Sequence, residues 1–275
     1  MEEPPSVDVG LGTAYERLAI YRRICDWYRG RIRTAGEGPL DGFAGIRGLH
    51  LLPLARAGAR VTVVSRDPRT LELVQKAYRH AGCIDALELH EGTELPSREF
   101  DLALDFNGLT QLDDWQPHLG ELAAHARELV LFVTHPTSYG AFAARGLAYL
   151  KPRTSKRAQY EHPATRAKVL DAELERYGHV TRRAWVDCPW WPDLFVEAGT
   201  TLAAELRSAF RASTSRASPR FVYAAEEFPY GGEPPAELAR TLARHPTFDD
   251  SRIAPLFAHH RMLGVCTHRR PESRG

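Results

Sequence analysis

The chain has almost no net charge: 36 Lys and Arg stand against 35 Asp and Glu, leaving +1 at pH 7 with histidine neutral. Without a surplus of either sign, no global field draws it to nucleic acid or to an anionic membrane. Two local basic clusters remain, KPRTSKR at 151–157 and RSAFRASTSRASPR at 207–220. Neither is interleaved with the aromatic pattern that stacks on bases, so nucleic acid is not an expected partner. Cysteine is scarce: Cys25, Cys83, Cys188 and Cys266 form no C-x-x-C pair. That spacing excludes a zinc knuckle and a disulfide framework, and reads as the reduced thiols of a cytoplasmic protein. No apolar run reaches the length of a membrane span, and the opening MEEPPSVDVG lacks the basic start and apolar core of a signal peptide. Internal repeats and low-complexity tracts are missing too. The neighbouring His259 and His260 would point to opposite faces of a strand, a poor chelate, so no metal is expected.

What the chain does have is alternation. Over 13–29, Leu18, Tyr21, Ile24, Cys25 and Tyr28 form one helical stripe, with Thr13 and Glu16 in capping-box spacing and Gly30 after it. GPLDGF reads as a short first strand and about 48–57 as a helix. ARVTVVS is a β-branched strand, and Asp67 with Pro68 opens the helix PRTLELVQKAYRHAG. CIDALELHE and FDLALDF are the next buried strands, DDWQPHLGELAAHAR a helix, and ELVLFVTH another strand. Such alternation builds βαβ units, so an α/β, doubly wound, mostly parallel sheet is expected. Later, TRAKVLDAELERYG reads as a helix, and HVTRRAWVD and HHRMLGVCTHRR as strands. Hairpin connections need only a few residues, so the long stretch between these strands reads as an inserted helical lid. The expected organisation is an N-terminal helical segment at 1–38, a core domain at 39–193 plus 259–275, and an insertion at 194–258.

Several stretches together resemble the class I S-adenosylmethionine-dependent methyltransferase superfamily. They are GIRGLHLLPLARAGARVTVVSRDP, HEGTELPSREFDLALDF and ELERYGHVTRRAWVD, spanning about 39–187, with a last strand near 262–267. The resemblance implies a Rossmann-like methyltransferase fold of seven strands, the final one inserted antiparallel. It implies S-adenosylmethionine as cofactor and methyl transfer to an acceptor, which the near-neutral charge makes a small molecule. The family carries an acid followed by G-x-G-x-G; here Asp41 precedes Gly42, Ala44, Gly45 and Gly48. Replacing Gly45 or Gly48 with a bulky residue is therefore expected to weaken ligand binding more than folding. Ser65 stands where the family has its ribose-gripping acid, with Arg66 and Asp67 after it. The resemblance also implies cofactor contacts from Glu91, Gly92, Asp105 and Phe106. His135, at a strand end, is the candidate proton acceptor, and Tyr139 follows it.

DCPWWPD sets Trp190 and Trp191 between prolines, with Asp187 and Asp193 on either side. Two indoles so placed form a platform for a planar or cationic substrate, and His259 could reach the same cleft. Two other readings stay open. One is a catalytically silent relative acting as a binding or scaffold subunit. The other is an NADP-binding oxidoreductase with Arg66 facing the 2′-phosphate. None of the ten tyrosines is followed four residues later by lysine, however, so hydride transfer would need a different proton relay. A homodimer is compatible with the sequence.

Overall fold

Alternating side chains on adjacent strands give the sheet two apolar faces, each covered by helices. In the computed structural model, residues 7–9, 11–38, 48–138, 161–186, 188, 222–224, 233–244 and 248–268 are described. The strands are β1 (Val7–Val9), β2 (Thr34–Glu37), β3 (Arg60–Ser65), β4 (Leu87–Glu91), β5 (Phe100–Phe106), β6 (Ala126–Thr134), β7 (Gly178–Val186), β8 (Val222–Ala224) and β9 (His260–Thr267). The helices are α1 (Leu11–Tyr28), α2 (Leu52–Arg56), α3 (Pro68–His80), α4 (Trp115–His125), α5 (Ala167–Leu174), α6 (Ala236–Ala243) and α7 (Ala254–Phe257). Seven strands form one sheet in the order β4-β3-β2-β5-β6-β9-β7.

The ladders among β4, β3, β2, β5 and β6 are parallel, whereas β9 runs antiparallel to both β6 and β7. The antiparallel ladders are the longest in the sheet, so it is mixed rather than mostly parallel. The reason is connectivity: β7 and β9 follow each other around an insertion and no crossover helix is needed between them. Along β6, Val130 and Phe132 face the core shared with α1, α2 and α3, while Leu129, Leu131 and Val133 face the core shared with α4 and α5.

The central strand lies ahead of where the sequence pattern puts it. Thr34–Glu37, not GPLDGF, sits between β3 and β5, so the sheet begins before residue 39. Its residues are small because its neighbours fill the space: a Cβ on Gly36 would lie 3.0 Å from Leu95 Cδ2 and 3.3 Å from Phe100 Cε1. A strand so packed carries no apolar run for a periodicity argument to find. Its start is fixed by Asp101, whose carboxylate accepts from Arg33 N at 2.8 Å and Thr34 N at 3.1 Å.

Two helix starts also differ from expectation. α1 begins at Leu11, so Thr13 is inside its first turn rather than capping it, and α2 begins at Leu52 after turns over 48–51. α3 is as expected: Asp67 accepts from Arg69 N at 3.0 Å with Pro68 in the first turn. The insertion contributes α6, α7 and also β8, which pairs antiparallel with the N-terminal β1. No helix among the described residues is long and apolar enough to cross a membrane.

Candidate functional site at the carboxyl edge of the sheet

The strand order reverses between β2 and β5. From β2 the chain builds outward through β3 and β4, then returns to β5 and builds the other way. Open α/β sheets bind ligands beyond the strand carboxyl ends at such a switch point. Here β2 ends at Glu37, opposite Val63 and Leu104, while β3 continues to Ser65 and β5 to Phe106. The central strand therefore ends before its two neighbours do.

Glu37 and residues 48–50 meet at the end of this strand. Glu37 is 2% exposed; its Oε2 accepts from Gly48 N at 2.6 Å, and Oε1 lies 3.3 Å from His50 Nδ1. The Gly48 carbonyl accepts from the Tyr78 hydroxyl at 2.8 Å, so the turn is held from both sides. The His50 ring stacks on Phe106 with centroids 3.9 Å apart, Phe106 on Phe132 at 4.4 Å, and Phe132 on His260 at 4.4 Å. These four rings cross the edge from the loop through β5 and β6 to β9. Their faces cover one another and form a packed layer.

Of the sequence-based candidates, Ser65 is buried and its hydroxyl accepts from Asp67 N at 3.1 Å. Asp67 accepts from Arg69 N and from the Thr70 hydroxyl at 2.9 Å, and these bonds, the Thr70 hydroxyl foremost, hold its carboxyl below the usual range. Both side chains thus shape the start of α3. Arg66 is exposed beside them. Glu91 ends β4 opposite Ser65 and is exposed, and Gly92 N donates to Ser65 O at 3.0 Å. Asp105 is buried; its Oδ1 accepts from Gly108 N at 3.0 Å and Leu109 N at 3.3 Å, and its Oδ2 lies 3.6 Å from His118 Nε2. Asp105 therefore caps the turn after β5. Phe106 belongs to the ring stack.

His135 follows β6 and packs against Trp185, with ring centroids 4.7 Å apart. Its Nε2 lies 2.9 Å from the Pro255 carbonyl, and a carbonyl only accepts, so Nε2 carries the proton and Nδ1 keeps its lone pair. Burial lowers the His135 pKa against the opposing pull of that bond, and the Arg261 and His259 charges lower it further. His259 meets His135 through the backbone, its carbonyl accepting from His135 N at 2.7 Å. Asp41, Gly42, Ala44, Gly45, Tyr139, Asp187, Trp190, Trp191 and Asp193 lie outside the described residues.

The sequence reading missed Glu37, His50 and Asn107. Glu37 had a signal, since it stands between glycines in GEG directly ahead of the loop. Asn107 is buried with φ 58°, and its side chain bonds Thr134 on β6. His50 had no signal at all. On the far side of α1, cavities of ≈ 380 Å³ and ≈ 610 Å³ open toward the insertion, both lined by Leu18, Arg22, Asp26 and Glu233. Tyr21 lines the smaller, and its ring lies 6.4 Å from that of His50.

No protein-family model matches the chain, and no curated protein matches it. Solved structures do. The N-methyltransferase NodS from Bradyrhizobium japonicum WM9, in complex with S-adenosylhomocysteine, is 14% identical over 64% of this chain and 79% of NodS, with a TM-score of 0.45. The N-terminal domain of EvdMO1, solved in the presence of S-adenosylhomocysteine and D-fucose, is 17% identical over 45% of this chain, with a TM-score of 0.37; the match spans about half of that domain, 52%. MccD is 7% identical but aligns over 95% of this chain and 100% of its own, with a TM-score of 0.50. The strand order, with its late strand reversed between two others, is the arrangement implied by the sequence resemblance: the chain has the fold of the class I S-adenosylmethionine-dependent methyltransferases.

Proposed function

We propose that the chain is an S-adenosylmethionine-dependent methyltransferase acting on a small-molecule acceptor. The observation that carries this reading is the charge of the switch-point edge. The ends of β2, β3, β4 and β5 bring Glu37, Asp67, Glu91 and Asp105 to one side of the sheet, with Arg66 as the one guanidinium among the described residues that close these strands. Carboxylates accept hydrogen bonds from ribose hydroxyls and favour a cationic sulfonium, whereas they repel the phosphates of NADP. Because Ser65 and Asp67 are engaged in the α3 cap, Glu91 is the carboxylate left to take hydroxyl or amine donors from the adenosine portion. Bound here, S-adenosylmethionine supplies a methyl group activated for in-line displacement.

The chain's own residues then align the acceptor and remove its proton. The segment between β7 and β9 contributes Pro255, which bonds His135, and is proposed as the cover over that acceptor. His135 is proposed as the proton acceptor: its bond to Pro255 fixes the tautomer with Nδ1 bare, and burial keeps the ring neutral. Calorimetric titration tests the reading directly. Heat is expected with S-adenosylmethionine and S-adenosylhomocysteine at micromolar concentration and none with NADPH. Absence of binding to either sulfur ligand at millimolar concentration would instead leave a scaffold role.

The pH dependence follows from the sign of the His135 shift. A folded pKa below the unfolded value of about 6.5 means that the neutral, basic form persists into more acid solution. kcat/KM is therefore expected to hold its plateau down through pH 6.5 and to fall only below it. The neutral ring also contributes stability above pH 6.5, and that contribution is lost as the pH drops through the folded pKa. An acid limb centred at or above 6.5 would remove His135 from the role.

A further inference from the structure

Charged side chains on the outer face of α1 divide into those with a protein partner and those without. Tyr15, Leu18, Ala19, Arg22, Arg23 and Asp26 recur at three- and four-residue spacing, so they share one helical face, and that face lines the cavity of ≈ 610 Å³. The opposite wall includes Glu233, Pro234 and the α6 residues Ala239 and Leu242. The cavity of ≈ 380 Å³ has Leu18, Arg22, Asp26 and Glu233 in common with it, so the two form one groove with these four residues at its waist. Both volumes fall in the range of sites that hold small molecules. In the larger cavity the other charges are engaged: Arg23 pairs with Asp250, and Asp249 Oδ1 accepts from Cys188 N at 2.9 Å. At the waist they are not. Arg22 and Asp26 have the i, i+4 spacing at which opposite charges on a helix meet, yet neither they nor Glu233 make a hydrogen bond or ion pair among the described residues. All three are exposed and so are reached from solvent, while Leu18 between them is buried and apolar.

One guanidinium and two carboxylates around an apolar floor complement a ligand that carries both signs of charge. An ammonium has three N–H donors and so satisfies two carboxylates at once, and a carboxylate takes both forks of a guanidinium. A simple anion would meet Asp26 and Glu233, and a simple cation would leave Arg22 unmatched. Apolar surface on Leu18, Ala19 and Leu242 extends from the waist into the larger cavity, where a hydrophobic group of the same ligand is removed from water. We propose that this groove binds a free α-amino acid with a large apolar side chain, its ammonium between Asp26 and Glu233 and its carboxylate on Arg22. The site lies on the outer face of α1 and needs no adenosyl ligand, so it stands or falls separately from the cofactor reading.

Three probes that share one phenyl group separate the contributions. L-phenylalanine carries both charges, 2-phenylethylamine lacks the carboxylate, and N-acetyl-L-phenylalanine lacks the ammonium. L-phenylalanine is expected to give saturable amide shifts in 15–29 and 233–243 at millimolar concentration or below, and each of the other two to bind about tenfold more weakly. Arg22→Gln should abolish the preference over 2-phenylethylamine, and Glu233→Gln should reduce the preference over N-acetyl-L-phenylalanine. Both positions are exposed, so the fold is retained in either variant. Equal affinity for all three probes, selectivity unchanged in both variants, shifts confined to residues away from the groove, or no saturable shift with L-phenylalanine overturns the proposal.

Discussion

Alanine in place of Gly48 is expected to destabilise the fold by about 3 kcal/mol and to lower the thermal midpoint by roughly 10 °C. Gly48 has φ 78°, a left-handed backbone that costs a residue with a Cβ about 1–2 kcal/mol. Space is lacking as well: a Cβ there would lie 2.5 Å from Val63 Cγ2 and 2.8 Å from Cγ1, on a β-branched side chain that is itself fully buried in β3. Overpacking of that kind adds about 1–3 kcal/mol, because Val63 has no empty volume to move into. The peptide is also fixed from both sides, its N–H to Glu37 and its carbonyl to Tyr78, so the turn cannot swing outward without breaking two buried bonds. The sequence pattern assigned this glycine to ligand binding; the packing against Val63 assigns it to the fold. Thermal or denaturant unfolding of Gly48→Ala decides the matter, and an unchanged midpoint together with lost ligand affinity would return the residue to the binding role.

Asn107→Ala is expected to cost about 3 kcal/mol as well, for a different reason. Asn107 continues the β5–β6 ladder with its side chain. Its Oδ1 accepts from Thr134 N and from Thr134 Oγ1, both at 3.1 Å, its Nδ2 donates to Thr134 Oγ1 at 2.9 Å, and its own N donates to Phe132 O at 2.7 Å. The orientation of the amide is unambiguous, since the Thr134 N–H can only donate. Truncation removes the acceptor of that buried N–H, worth about 1–3 kcal/mol, and leaves alanine at φ 58°, worth about 1–2 more. Asn107→Gly relieves only the backbone part and should recover about 1 kcal/mol relative to alanine. Because Phe106 and His135 sit on the two strand ends that this amide ties together, kcat should fall with stability in both variants. Wild-type unfolding in Asn107→Ala would show that the ladder holds without the amide.

The large-scale architecture was legible because it depends on patterns that burial imposes. RVTVVS, FDLALDF and ELVLFVT became β3, β5 and β6, since buried strands need runs of apolar side chains. The Asp67–Pro68 signal located the start of α3, since capping is a local bond between neighbours in sequence. The same reasoning misplaced the central strand. TAGE is small and partly polar because Leu95, Phe100 and the adjoining strands occupy the volume that its own side chains would otherwise fill.

By itself, then, the sequence determined the α/β class and most of the succession of strands and helices, while the reversed late strand followed from the family resemblance. Tertiary structure decided which residues meet at the edge. Glu37 with His50, Asn107 with Thr134, His135 with Pro255, and β1 with β8 are pairs formed across loops and layers. Periodicity records how much of a side chain is buried and on which face; it carries no information about the partner of a single hydrogen bond, and that partner is what gives these residues their chemistry.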